Sequence, residues 1–300
     1  MHSGKLVTTN FIIFLALLLS FSLNTYAQEL TLDMYQQEET AVEQDNEFRP
    51  YGACLLNFGF GFALDGGVRH TYQQITGRFN NKNSSGSNVN LRQDLGVKHD
   101  STQFMIGVMM AWDGWRLRFD YSNAKFDGEK NLLAHTTILG TTFSQDTTLN
   151  TDLQIEVWRW LLSYTIFANH HVGLGVDLEI DAFRFDYEFQ GTRFSTGTLV
   201  TEKDRTVLAV IKPGVHIDFS WTESLVFTFA VNGLIFKYND VQVAATHVSL
   251  GGRWYIIDNF FLFGQGAYEY IKVDERDKEN FDGQILLHSW LASIGVGVHF

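Results

Sequence analysis

The chain has 300 residues, 45% of them hydrophobic and 15% aromatic, with 26 Phe and 26 Gly but only 2 Pro. That much apolar surface excludes intrinsic disorder, and a formal net charge of −12 disfavours nucleic acid as a partner, because phosphate binding needs clustered positive charge. The lone Cys54 removes both an internal disulfide and a thiolate metal cage, while a mean hydropathy of −0.07, with no run of eighteen apolar residues past the N-terminus, excludes a polytopic helical membrane protein.

Residues 1–27 read as a secretory signal peptide. Lys5 supplies the positive start, Phe11 to Leu23 the apolar stretch, and Thr25 and Ala27 the small residues before a cleavage site. Thirteen helical residues reach only about 20 Å, too short for a hydrocarbon core of about 30 Å. Residues 28–50 are acidic and lack strand-like alternation, so they read as a solvated periplasmic arm.

From Tyr51 to Phe300 apolar residues recur at every second position, between clusters of Gly, Asn, Asp and Ser. This is the strand signature. It predicts an all-β chain of ten strands, with eight or twelve as alternatives, near 54–66, 102–112, 115–124, 152–167, 171–187, 205–219, 223–237, 242–256, 258–273 and 285–300. Asp113-Gly114, Ala168 to His170, Trp221-Thr222 and Asp258 make tight turns, whereas 67–101, 125–151, 188–204 and 274–284 read as long loops. Short turns on one side, long loops on the other and strands of at least ten residues fit an antiparallel, up-and-down transmembrane β-barrel.

Aromatics are expected at the two membrane interfaces. Trp112, Trp115, Tyr164, Phe167, Phe219, Trp254, Tyr255, Phe260 and Phe300 lie near the tight turns or the end of the last strand, and Tyr121, Tyr187, Tyr238 and Tyr270 near the opposite ends.

With the apolar stripe turned outward, the inward set is strongly polar. It comprises Arg116, Arg118 and Asp120; Arg159 and Ser163; Asp177, Glu179 and Asp181; Lys212, His216 and Asp218; and His247, Arg253, Gln265 and Glu269. Arg159, Glu179 and Lys212 fall at similar depth on neighbouring strands, so an alternating charge chain is expected across the lumen. Unpaired buried ions cost several kcal/mol each. Ten strands carrying large side chains should therefore be mostly closed, since open channels need about sixteen.

The leader, the alternating strands and a last segment with Val296, Val298 and Phe300 at every second position resemble the Gram-negative outer-membrane barrels of the OmpA-like and OmpX-like group. The resemblance covers residues 51–300. It implies the bacterial outer membrane as location, and membrane lipid and lipopolysaccharide as surroundings. It also implies that the alternating motif is read by the barrel-assembly machinery. The group norm is eight strands, against ten counted here.

Enzymatic constellations do not assemble in the sequence. Outer-membrane lipid hydrolases pair a His-x-Ser with a polar group about twelve residues on; His247-Val248-Ser249 has the spacing, but Phe261 occupies the third position. Omptin-type proteases use paired acids with Asp-x-His, whereas His216-Ile217-Asp218 is reversed. His170-His171 lacks a third metal ligand. Gly59, Gly61, Gly264, Gly266, Gly295 and Gly297 lack the strand-to-helix context of a phosphate cradle, and Asn80 to Asn90 reads as an exposed polar loop. The expectation is no catalytic, metal or cofactor site and a structural or surface-interaction role. A narrow channel and an outer-membrane hydrolase stand as alternatives.

Overall fold

The computed structural model describes residues 61–300 apart from 79–87, 170, 223, 239–240, 258 and 278–280. The expected leader (1–27), the acidic arm (28–50), Cys54 and positions 80–87 of the polar loop lie outside the described residues.

Ten long antiparallel strands form one ring. They are β1 (Gly61–Arg78), β3 (Asp100–Trp112), β4 (Trp115–Asn131), β7 (Thr148–Ala168), β8 (Val172–Thr192), β9 (Leu199–Thr222), β10 (Leu225–Tyr238), β11 (Val241–Ile257), β12 (Phe260–Asp277) and β13 (Phe281–His299). Each pairs with the next, and β13 closes on β1 from Ala63↔His299 to Arg78↔Gln284. Closure satisfies the backbone groups that a sheet edge would leave bare. Four small elements complete the described chain: β2 (Asn88–Asn90), α1 (Leu91–Leu95), and a hairpin of β5 (Thr136–Ile138) and β6 (Thr141–Phe143).

The turns at one end are tight for local reasons. Asp113 and Gly114 both take positive φ, 43° and 82°, between the paired Trp112 and Trp115. This is the conformation a two-residue hairpin needs, and Gly adopts it freely.

At the opposite end the strands run further than the sequence pattern predicted. β1 continues to Arg78 through positions expected to be loop, and β7, β8 and β9 span 21, 21 and 24 residues. The reason is a change of phase. On β8, Leu174, Val176, Leu178, Ile180 and Ala182 face outward while Asp177, Glu179 and Asp181 face the lumen. Beyond Ala182 the inward positions become Phe183, Phe185, Tyr187 and Phe189, and the outward ones Arg184, Asp186 and Glu188. The same inversion occurs near Asn123 on β4 and Glu156 on β7, and those residues lie in one paired row with Arg184. Below this row the exterior is apolar, with Val176 42%, Val215 55% and Ile294 70% exposed. The outward apolar stretch on β8, from Leu174 to Ala182, is close to the 9–11 residues a tilted strand needs to cross hydrocarbon.

The aromatic rims differ in part from expectation. Tyr255 and Tyr187 turn inward and are buried; Tyr255 packs on Phe261 with ring centroids 5.4 Å apart. The side chain of Tyr238 lies outside those described. Trp158, which pairs with Tyr121 at 5.9 Å, and Trp290, which pairs with Tyr268 at 4.7 Å, mark the rim on the long-strand side.

Candidate functional site

The lumen is filled in three layers, and the middle one holds the charges. Arg159 on β7 lies opposite Asp181 on β8, and Glu179 lies opposite Lys212 on β9. Strand parity turns all four side chains inward, because outward neighbours such as Trp158, Trp160, Leu178, Ile180 and Ile211 alternate with them.

Arg159 donates to both oxygens of Asp181, Nε to Oδ1 at 2.7 Å and Nη2 to Oδ2 at 2.9 Å, and Nη2 also reaches Glu269 Oε1 at 2.8 Å. Lys212 Nζ lies 2.6 Å from Glu179 Oε1, 2.5 Å from Asp181 Oδ2 and 3.1 Å from Glu269 Oε1. Asn232 donates to Glu179 Oε2 at 2.6 Å. His247 completes the group with Nδ1 2.8 Å from Glu179 Oε2 and Nε2 3.3 Å from Arg159 Nη1. A guanidinium can only donate, so Nε2 accepts and Nδ1 carries the proton. Lys212 and Asp181 have no exposed surface. Each is held by several opposite charges, as burial at that depth requires.

The oxygens of Glu179, Asp181 and Glu269 lie close enough together to suit a metal ion. The Lys212 ammonium already stands among all three, so their charge is answered by the chain itself.

A second ionic group lies toward the short turns. Arg118 on β4 holds Asp65 on β1 through Nη1–Oδ2 at 2.8 Å and Nη2–Oδ1 at 2.9 Å, and Asp120 at 2.7 Å. Arg116 meets Asp218 at 2.9 Å, which also accepts from Thr228 at 2.6 Å. His216 Nδ1 lies 2.7 Å from Asp177 Oδ1. Arg69, also buried, donates to the hydroxyls of Ser293 at 3.1 Å and Ser122 at 3.3 Å. A cavity of about 120 Å³ adjoins this group, lined by Arg116, Asp177, His216, Ser163, Ser249 and Arg253 among others. It is polar and roomy enough for a few water molecules.

Apolar layers close both sides. Toward the short turns, Met109, Ala111, Val226, Tyr255, Phe261 and Phe263 cluster, with the Arg253 guanidinium 5.7 Å from the Phe261 ring centre. On the long-strand side a larger cluster includes Phe126, Ile155, Phe183, Phe185, Phe189 and Ile271. It is sealed by Leu91 and Leu95 of α1 and by Ile138 and Phe143 of the β5–β6 hairpin. α1 is fixed there by the Asn90 side chain, which accepts from the backbone N–H groups of Arg92 and Gln93. Burying each such large side chain contributes roughly 1.5–3 kcal/mol.

The structure thus brings Arg159, Asp181, Glu179 and Lys212 into one network and Arg116, Arg118, Asp120 and Asp177 into the adjoining group. Sequence reasoning missed Asp65, Arg69 and Asn232. The first two fall in or beyond a strand whose extent was misjudged, and Asn232 is a lone polar position in an apolar run. His247 and Ser249 both face the lumen, with His247 engaged by Arg159 and Glu179. Val296 faces outward, and Phe300, 70% exposed, exchanges backbone hydrogen bonds with Phe62 at 2.8 and 3.2 Å.

An apolar outside, a polar inside and a closed ring of ten strands define the class: a transmembrane β-barrel. No protein-family model and no curated protein matches the chain. Among solved structures it is similar to the outer membrane protease OmpT from Escherichia coli, at 10% identity over 82% of this chain and 100% of that one, with a TM-score of 0.48. It is also similar to the outer membrane protein OprG from Pseudomonas aeruginosa, at 13% identity over 81% and 97% with a TM-score of 0.38. A third is the toluene transporter TodX from Pseudomonas putida, at 8% identity over 82% and 93% with a TM-score of 0.34.

Proposed function

We propose that this chain is a closed outer-membrane barrel whose role is structural or lies in contacts made by its outer surface, not in passage through its lumen. The observation that carries this reading is the filling of the lumen. An ionic layer whose two central cations each touch several carboxylates lies between two apolar clusters. A conduit for hydrated solutes needs a continuous wet path, and a layer of packed Phe, Ile and Leu removes it. On this reading the surroundings are outer-membrane lipid and lipopolysaccharide, with the barrel-assembly machinery acting during biogenesis.

The hydrolase alternative draws no support from the lumen, where His247 is held in the ionic network and His216 lies beside Asp177 behind the barrel wall. Planar-bilayer recording of the purified protein is the test. A closed lumen gives no stable conductance steps, and reproducible unitary steps from the pure protein would replace this reading with the channel.

A further inference from the structure

One pair of neighbours in the ring parts before either strand ends. β9 and β10 stay paired from Thr222↔Leu225 to Gly214↔Asn232. β9 then runs on to Leu199 and β10 to Tyr238, and among the described residues no further pair joins them. Pro213 stands at the split. A proline has no N–H to donate, which is why sheets place it at an edge.

From Pro213 to Leu199, β9 is therefore held on one side only, by Leu178 to Thr192 of β8. Exposure agrees with this. Lys203, Asp204 and Arg205 are exposed in succession, although every second residue of β8 beside them is buried. Ala209 lies opposite Ala182, the point at which the exterior of β8 turns polar. The edge from Leu208 to Leu199 thus stands beyond the apolar band as a row of backbone donors and acceptors open to another strand.

Charge indicates which strand would add. On the outward face Lys203 and Arg205 are joined by Arg184 on β8 and Lys237 on β10, against Asp186 and Glu188. Two β9 edges laid antiparallel would, in the registers of greatest overlap, set these cations against their own copies, and like charges directly opposite are destabilising. A strand with a carboxylate at every second residue would instead bring one across from each of Lys203 and Arg205. The other face presents Glu202 and Asp204, which would repel carboxylates, so the alternate positions of the partner are uncharged.

We infer that the open edge of β9 binds an extended acidic peptide of a partner protein, added to the sheet as a strand with its carboxylates beside Lys203 and Arg205. This rests on the reading that the barrel acts through its outer surface. The test uses the full protein in nonionic detergent micelles and a short labelled peptide of alternating Glu and Thr, followed by fluorescence anisotropy and by amide hydrogen exchange of the barrel. The peptide should bind and slow exchange on β9 between Leu199 and Leu208, whereas a peptide of alternating Lys and Thr should not. Lys203→Glu together with Arg205→Glu should weaken binding about tenfold, with the heat-dependent shift in SDS gels unchanged. N-methylation throughout the Glu and Thr peptide, which keeps its charge and removes its backbone donors, should abolish binding. Equal binding of the methylated peptide would mean charge attraction alone, protection elsewhere would place the site off β9, and a protein dimer protected at β9 would make a second copy the occupant. Each of these, like failure of the Glu and Thr peptide to bind, would overturn the inference. Conductance steps in the bilayer recording above would instead overturn the outer-surface reading on which it rests, whatever the peptide does.

Discussion

Arg118 on β4 grips Asp65 on β1 with both ends of its guanidinium, at 2.8 and 2.9 Å, although β3 lies between the two strands. The bridge passes over Gly107, where a Cβ would lie 2.5 Å from Asp65 Oδ1, 2.6 Å from Arg118 Nη2 and 2.7 Å from Asp120 Oδ1. The missing side chain is what lets a guanidinium cross a strand and satisfy two carboxylates in one layer. Bidentate pairing of this kind is among the stronger ionic contacts.

Gly107→Val should therefore separate Arg118 from Asp65 and leave buried charge poorly answered, at a cost of about 3–5 kcal/mol. Gly266→Val, on the outward face with open space around it, should change stability by less than about 1 kcal/mol. Urea unfolding of the two variants in the same micelles checks the difference. Equal midpoints would show that the Arg118 bridge does not depend on the gap.

Lys212→Met removes an ammonium that touches Glu179, Asp181 and Glu269 together. Three carboxylates would then share Arg159, and the expected loss is about 3–5 kcal/mol. Adding Glu269→Gln should recover part of it, because one uncompensated charge disappears with its partner. A double-mutant cycle on unfolding free energy measures this, and strictly additive losses would contradict the network.

Phe183 and Phe189 are almost fully buried in the long-strand cluster. Phe183→Ala should cost about 3–5 kcal/mol through the cavity it leaves, yet produce no conductance, since the ionic layer still closes the lumen beneath it. Stable conductance steps from this variant would show that the apolar layer alone seals the barrel.

Lipid-facing positions should respond to charge according to height. Ile180→Arg, outward within the apolar band, should cost about 2–4 kcal/mol, whereas Arg205→Ala, an exposed partner of Asp186 beyond the band, should cost no more than about 1 kcal/mol. The amount of heat-modifiable protein recovered from membranes checks both. Similar yields for the two variants would argue against the placement of the band.

The sequence carried the part of this fold in which polarity follows one phase. Strand parity alone puts Asp177, Glu179 and Asp181 on one face and Val176, Leu178 and Ile180 on the other, so the direction of the lumen charges could be read without coordinates. It failed where the solvent changes. Past Ala182 the same strand continues with its pattern reversed, and Phe183, Phe185 and Tyr187 then look like a strand end and an interfacial aromatic, not the inner wall of an extension beyond the membrane. Partner identities were less legible still. Arg159 meets Glu269 on β12 and His247 on β11 across the lumen, distances that strand-by-strand depth counting cannot supply.

Tryptophan offers the most direct test of which face meets lipid. All seven, Trp112, Trp115, Trp158, Trp160, Trp221, Trp254 and Trp290, occupy outward positions, so the unmodified protein can be measured in vesicles whose phospholipid chains carry bromine. Strong quenching of the intrinsic fluorescence, with little further quenching by aqueous iodide, is the expected result. Weak quenching by the brominated chains together with ready access to iodide would place the apolar face against something other than lipid and contradict the account.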